Sequence, residues 1–192
     1  MKSIRNTDLK PLWLAIILVW AGTACSSEDP TEVNEEELIT TVNMTFTNTA
    51  MASDVVNVSF RDLDGPGGSN PVIDDLTLSA NASYTYTLEF LNEQETPADN
   101  ITAEVRAEGV DHQVFLIKGG NADFTTTYGD QDTNGNPIGL LGTVTTGAAG
   151  NGALSIVLVH KPNKSATGVA NGNISGAGGE EDIRVQFTLS IQ

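Results

Sequence analysis

The chain has 192 residues, a formal net charge of −16 and a single cysteine. This acidity excludes nucleic acid as a partner, because a phosphate backbone would be repelled, and one cysteine cannot form an internal disulfide. Small and β-favouring residues, above all Thr, Gly, Asn and Val, dominate the composition, which is typical of an all-β secreted domain.

The first 24 residues have the pattern of a signal peptide. Lys2, Arg5 and Lys10 form a basic start, and residues 11–20 (PLWLAIILVW) are an unbroken apolar run. A membrane-spanning helix needs roughly 20 such residues, so a run this short indicates a signal peptide instead. The sequence therefore predicts export.

Two processing routes fit the small residues 21–24 that precede Cys25. Plain signal cleavage would cut after Ala24, which satisfies the small-x-small rule. Lipoprotein processing would cut the same bond and attach lipid to Cys25, and it also explains an unpaired cysteine in an exported chain. Gly22 stands where the lipoprotein box usually has Leu. We expect lipidation at Cys25, with the membrane as a partner through this anchor.

The stretch after Cys25 predicts an acidic tether. Residues 26–37 (SSEDPTEVNEEE) are polar and lack apolar periodicity, so residues 25–37 are expected to be flexible. The first four of them resemble the lipoprotein export signal of Bacteroidota, which implies transport to the outer membrane. Whether the chain would face the cell surface or the periplasm stays open.

From Leu38 onward an alternation with period two predicts a single β domain over residues 38–192. The predicted strands cover residues 42–47, 56–61, 76–80, 84–90, 113–118, 123–128, 138–146, 154–161 and 183–191. The apolar run 113–118 favours a central strand, and the Thr-rich run 123–128 favours an edge. Residues 168–181, rich in Gly and Asn, indicate a long loop. This pattern favours an all-β fold, an antiparallel β-sandwich of immunoglobulin-like or jelly-roll-like type.

One segment breaks the strand pattern. Thr96 suits a helix cap, Pro97 suits the first helical position, and Gly109 suits a stop. These residues predict one short helix over about 97–109.

The best candidate for chemistry is a predicted calcium site at Asp130, Asp132 and Asn134. These residues stand at i, i+2 and i+4, and Gly135 permits a tight turn that converges their oxygens, as Ca²⁺ requires. The pattern resembles the first half of a helix–loop–helix calcium loop, but Leu141 occupies the twelfth position, where that motif has Glu. The alternative is a polar hairpin turn, since Asp, Asn and Gly also form turns.

A β-sandwich could supply the missing calcium ligand from another strand end. Asp123 and the turn containing Asp62 and Asp64 are the candidate sources.

Catalytic signals are weak throughout the chain. Its two histidines, His112 and His160, are too few for a usual zinc site, and no nucleophile elbow is present. We therefore expect a non-enzymatic binding or accessory module of the envelope, with another envelope protein or a glycan as partner. The alternative from another class is a carboxylate- or metal-dependent hydrolase built around Asp130, Asp132 and His112.

Several stretches together resemble a family of small single-domain Bacteroidota outer-membrane lipoproteins of unknown function. They are NEEELITTVNMTF, YTLEFLNEQETPADNIT, DHQVF, DTNGNPIGL, LVHKPNKSATGVANG and GGEEDIRVQFTLSIQ. Some relatives carry the label "type 1 periplasmic binding fold superfamily protein", which implies an α/β domain of alternating strands and helices. The resemblance implies an envelope lipoprotein and assigns no functional residues.

Overall fold

A computed structural model describes residues 38–65 and 67–192, which belong to a compact unit spanning Glu36–Gln192. The signal peptide, the lipidated Cys25 and the tether, all predicted within residues 1–37, lie outside the described residues. Across the described part of the chain, no helix is long and apolar enough to cross a membrane.

Two β-sheets dominate the described residues, which confirms the predicted all-β sandwich with one short helix. Residues 38–65 and 67–192 form ten strands where about nine were expected. In chain order the elements are β1 (Thr41–Asn48), β2 (Val55–Arg61), β3 (Val72–Ile73), β4 (Leu76–Leu78), β5 (Ser83–Leu91), α1 (Ile101–Ala107), β6 (His112–Gly120), β7 (Phe124–Tyr128), β8 (Leu141–Thr146), β9 (Gly150–His160), a 3-10 helix (Val169–Asn171) and β10 (Glu180–Ile191).

The larger sheet has the strand order β3-β2-β1-β5-β8-β7, and the smaller has the order β4-β10-β9-β6. All paired neighbours are antiparallel except β4 and β10. A short turn joins β1 to β2, where the Asn48 amide donates to the Asp54 carboxylate at 2.8 Å. β7 ends the larger sheet, which confirms the edge position that its Thr-rich sequence predicted.

The main core lies between the two sheets. Val42, Met44 and Phe46 of β1 are fully buried, as the alternation predicts, and the alternate apolar residues of β10 join them. Tyr84 and Tyr86 are each 1% exposed, so both belong to the core. Each large apolar side chain buried in this way contributes about 1.5–3 kcal/mol. This burial stabilises the domain where no disulfide can.

The smaller sheet is buried on both faces at the start of β6 and the end of β9. Phe115 of β6 and Val157 and Val159 of β9 form a second apolar cluster with Val169 and Ala177. The last two belong to residues 161–179, which connect β9 to β10 and which we call the cover segment. The long loop expected over 168–181 thus packs apolar side chains against the smaller sheet. β6 itself is an edge strand rather than the predicted central one, and the cover segment explains why its outer face is apolar.

The helix begins later than predicted. α1 starts after Asn100, whose side chain accepts a hydrogen bond from Ala103 N–H at 3.2 Å and acts as the N-cap in place of Thr96. Asn92 and Asp99 exchange two backbone hydrogen bonds, so the residues between them form a loop that cannot be helical. Thr102 Oγ1 accepts from Phe90 N–H at 2.7 Å and ties α1 to β5.

Candidate functional site

The predicted calcium residues lie on the loop of residues 129–140 that joins β7 to β8, which we call the β7–β8 loop. Asp130 folds its carboxylate back onto this loop. Oδ1 accepts from Gly139 N–H at 2.7 Å and Oδ2 accepts from Leu140 N–H at 2.9 Å. Gly139 has a φ of +93°, and a Cβ there would lie 2.6 Å from Val114 O, so the close approach to β6 requires glycine.

Asp132 organises the tip of the loop. Its Oδ1 accepts from the N–H groups of Asn134 and Asn136 at 2.8 and 2.9 Å. Gly135 has a φ of +82° and donates its N–H to Asp132 O at 3.0 Å, which closes the turn. The alternate polar residues therefore do form the tight turn that their spacing predicts, and Asp132 caps it.

The second oxygen of Asp132 binds a buried lysine from the cover segment. Lys164 Nζ donates to Asp132 Oδ2 at 2.9 Å, to Pro137 O at 2.9 Å and to Gly109 O. The two side chains are 5% and 1% exposed. One ammonium group thus joins the cover segment, the β7–β8 loop and the turn before β6.

The ion pair decides the protonation of Asp132. Burial raises the pKa of this carboxyl, but the hydrogen bonds from Lys164, Asn136 and Asn134 outweigh burial and hold the pKa below its usual value. Asp132 is therefore a carboxylate with all of its charge directed at Lys164 and the turn amides.

Calcium binding at Asp130, Asp132 and Asn134 stays an untested prediction of the sequence, and the hydrogen bonds of the two aspartates do not favour it in the unaltered chain. Each carboxylate oxygen of the two aspartates already accepts a hydrogen bond. Within residues 38–65 and 67–192, no group of three or more His, Cys, Asp or Glu is arranged to hold a metal ion. A cation at Asp132 would have to replace the Lys164 ammonium.

Because Lys164 holds that position, we expect 5 mM Ca²⁺ to shift the melting temperature of the unaltered chain by less than about 1 °C relative to chelator. In the Lys164→Met variant the same Ca²⁺ should raise the melting temperature, since Asp132 then lacks its cation. Differential scanning fluorimetry measures both. A clear calcium-dependent rise in the unaltered chain would establish the calcium site instead.

The other candidate calcium ligands lie elsewhere. Asp123 precedes β7 and lies at the opposite end of that strand from Asp130, near Ala148, whose N–H it accepts at 3.4 Å. Asp62 and Asp64 follow β2, which three strands separate from β7 in the larger sheet. Their carboxylates accept N–H groups of their own turn, so none of the three joins the β7–β8 loop.

A polar groove lies beside the β7–β8 loop, with a volume of about 350 Å³. Three elements form it: the end of β7, the β7–β8 loop and the 3-10 helix of the cover segment. Its lining residues are Thr126, Thr127, Tyr128, Asp130, Gln131, Gly135, Pro137, Ala170 and Asn171. The groove falls within the size range of small-ligand sites. Of the predicted calcium residues, Asp130 is the one that lines it.

Tyr128 anchors the base of the groove to β6. Its hydroxyl donates to Val114 O at 2.8 Å, and Gln113 Nε2 donates to Val169 O at 2.8 Å. Burial, with the nearby Asp130 charge, raises the pKa of Tyr128 to about 12, although a hydrogen bond from Gln113 lowers it in part. Tyr128 is thus a neutral hydrogen-bonding group, and a β6 side chain holds the 3-10 helix in place.

The two histidines meet at the paired ends of β6 and β9. Their rings stack with centroids 4.9 Å apart and planes 15° apart. His112 Nδ1 lies 3.2 Å from Glu108 O, and Nε2 lies 3.9 Å from Asp182 Oδ2. Burial lowers the pKa of His112, and the nearby His160 adds to this, against the Glu108 carbonyl. His112 is the first residue of β6.

This burial predicts a pH-dependent stability. The unfolded chain protonates His112 near its usual pKa of about 6.5, whereas the folded chain does so only at lower pH. The stability contributed by neutral His112 is therefore complete above that pH and is lost as the pH falls from there toward the folded pKa. Urea unfolding from pH 7.5 to 5.5 should show this loss.

The control for this pH series is the His112→Asn variant, which retains His160 and every carboxylate. Asp132, with its lowered pKa, titrates below this pH range. The variant should lose less stability than the unaltered chain over the same range, and parallel losses in the two proteins would show that His112 is not the responsible group.

Within the described residues, His112 and Asp132 of the predicted hydrolase have different polar partners. The polar contacts of His112 are with Glu108 and Asp182, whereas those of Asp132 are with Lys164 and its own turn. Hydrolysis at this constellation stays a prediction. Lys164 and Gln113 are buried polar residues beside the groove that sequence reasoning missed, because neither lies in a pattern that marks a buried polar residue.

The comparisons with known proteins add no family to this description: no family model, no curated protein and no solved structure matches the chain.

Proposed function

We propose that this protein is a lipid-anchored module of the bacterial cell envelope that binds a ligand in the groove beside β7 and does no chemistry on it. The groove is the observation that carries the proposal. Its residues offer hydroxyl, amide and backbone groups, which suit recognition by hydrogen bonds.

Preorganised walls support a binding role. The Lys164–Asp132 pair joins the β7–β8 loop to the cover segment, and Asp130 fixes the same loop through Gly139 and Leu140. Gln113 holds the 3-10 helix through Val169 O. A ligand would therefore meet a formed site, and little free energy would be lost in ordering loops on binding.

The anchor comes from the sequence. Cys25, the acidic tether of residues 26–37 and the resemblance to small Bacteroidota lipoproteins support a place in the outer membrane. A tether of about a dozen residues would let the groove reach a partner near the membrane surface. Surface exposure and a periplasm-facing anchor are both compatible with this proposal.

Site-specific photocrosslinking in intact cells tests the binding role. A benzophenone amino acid at Gln131, exposed beside the groove, should give a discrete crosslinked product. The matched control at Thr87, exposed on β5, should not. Equal products from both positions, or none from Gln131, would contradict a ligand in the groove.

Mass spectrometry of the mature N-terminus tests the anchor independently. We expect acyl chains on Cys25 and loss of residues 1–24. An unmodified Cys25 would refute lipid anchoring but would not contradict export. Protease treatment of intact cells would then separate a surface position, where the domain is cut, from a periplasmic one, where it is protected.

A further inference from the structure

The open edge of β7 forms one side of the groove. Gly129 N–H donates to Leu141 O, and Gly147 N–H donates to Asp123 O, so these two pairs are of the hydrogen-bonded type. Hydrogen-bonded and non-hydrogen-bonded pairs alternate along antiparallel strands. Thr126 and Tyr128 therefore direct their N–H and C=O groups away from β8.

These outward groups have no partner in the described part of the chain. Neither the N–H nor the C=O of Thr126 or Tyr128 forms a hydrogen bond outside the strand pairing there. Both residues line the groove. The groove thus contains an unpaired stretch of strand edge, with two donors and two acceptors at the spacing of a β-ladder.

The other sheet edges among the described residues are closed in part, short or charged, and the edge strand β6 carries Lys118. On β6, Val114 N–H donates to Ile138 O at 2.7 Å, and Val114 O accepts from Tyr128. β3 has two residues and β4 has three. Proteins usually protect a long exposed edge with charge, proline or a bulge. β7 (FTTTY) carries no charge and no proline, and its pairing with β8 is regular.

We infer that β7 and the groove form a docking site for an extended segment of a partner protein, which adds as a further strand to the larger sheet. This deepens the proposed binding role and rests on it. The main-chain groups of the segment would pair with Thr126 and Tyr128, and its side chains would contact the β7–β8 loop and the 3-10 helix.

The net charge of the domain indicates which kind of partner segment would bind at β7. Residues 38–192 contain six Lys and Arg and 18 Asp and Glu, a net charge of −12, and Asp130 lines the groove itself. A neutral or basic segment is therefore favoured over an acidic one. The same charge opposes pairing of β7 with β7 of a second copy.

The probe is a phage library of random 12-residue peptides, selected on the chain from Ser26 onward, which contains the whole compact unit Glu36–Gln192. The selected peptides should be neutral or basic. Hydrogen exchange by NMR should show fast exchange at Thr126 and Tyr128 in the free chain and protection when peptide binds. Thr125 and Thr127, already paired with β8, are controls within the same strand.

Two changes separate backbone pairing from contact through side chains alone. N-methylation of alternate peptide residues, and the Thr126→Pro variant, should each weaken binding at least about tenfold by removing backbone hydrogen bonds. As a control, Thr125→Val, on the same strand but outside the groove lining, should bind within about threefold. The methylated peptide needs no altered protein, so the test holds even if Thr126→Pro does not fold.

Four results would overturn the inference: a library that yields no binder, selected peptides that leave the Thr126 and Tyr128 amides unprotected, methylated peptides that bind as well as unmethylated ones, or a chain that dimerises and protects these amides without peptide. If the library yields no binder while Gln131 still crosslinks a ligand in cells, the strand-docking inference fails and the proposed groove function stands. Failure of both experiments would remove the groove function as well.

Discussion

Replacing Lys164 with Met is expected to lower the free energy of unfolding by about 3–5 kcal/mol, because removing one partner of a buried ion pair leaves the other charge desolvated and unpaired. Here the Asp132 carboxylate would keep only its turn amides, and two carbonyls, of Gly109 and Pro137, would lose their donor. Urea unfolding followed by circular dichroism measures this loss.

Two variants control this prediction. Lys118 is exposed on β6, so Lys118→Met should change stability by less than about 0.5 kcal/mol. Adding Asp132→Asn to Lys164→Met removes the unpaired buried charge of the Asp132 carboxylate, while the Asn amide oxygen can still cap the turn. The double variant should therefore be more stable than Lys164→Met alone. Similar losses for Lys164→Met and Lys118→Met would contradict a buried pair.

The second large effect is expected at Phe115, which is fully buried beneath the cover segment. Phe115→Ala should cost about 3–5 kcal/mol through lost burial and the resulting cavity. It should also release the cover segment selectively, because Val169 and Ala177 lose the apolar surface on which they pack. Hydrogen exchange of residues 161–179, measured by mass spectrometry, tests this local effect.

Phe187→Ala is the matched control, since Phe187 is equally buried but belongs to the main core between the sheets. It should cost a similar free energy of unfolding without selective exchange in residues 161–179. If both variants increase exchange in the cover segment equally, the second apolar cluster does not hold that segment in place. The groove would then not be preorganised by this contact.

Both effects concern the same architecture. The cover segment is attached by an apolar contact at Phe115 and Val169 and by an ionic one at Lys164. The apolar contact buries the outer face of β6 and of the end of β9, and the ion pair joins the cover segment to the β7–β8 loop. The shape of the groove therefore depends on contacts of the cover segment that lie outside the groove.

Much of the fold could be predicted because side-chain direction in a strand is local. Residues at i and i+2 share one face, so the buried set of β1, the inward residues of β10 and the core position of Tyr84 follow from sequence order alone. The edge position of β7 also followed from its composition. The turn at Asp132 was predictable for the same reason, since its bonds join residues two to four apart.

Other features depend on residues far apart in the chain. The helix boundary moved because Asn92 pairs with Asp99, which a local capping pattern does not show. β6 is apolar on both faces because the cover segment lies against it, whereas the sequence pattern alone favoured a central strand.

The sequence by itself determined an exported-type N-terminal pattern, a lone cysteine at Cys25, an acidic β domain and a polar turn at Asp132. Only the tertiary structure decided what that turn binds. Lys164 is 32 residues away, and burial of the pair arises from packing of three segments, which no local pattern encodes. The unpaired edge at Thr126 and Tyr128 likewise exists only because β7 ends its sheet, and strand order is a property of the whole fold.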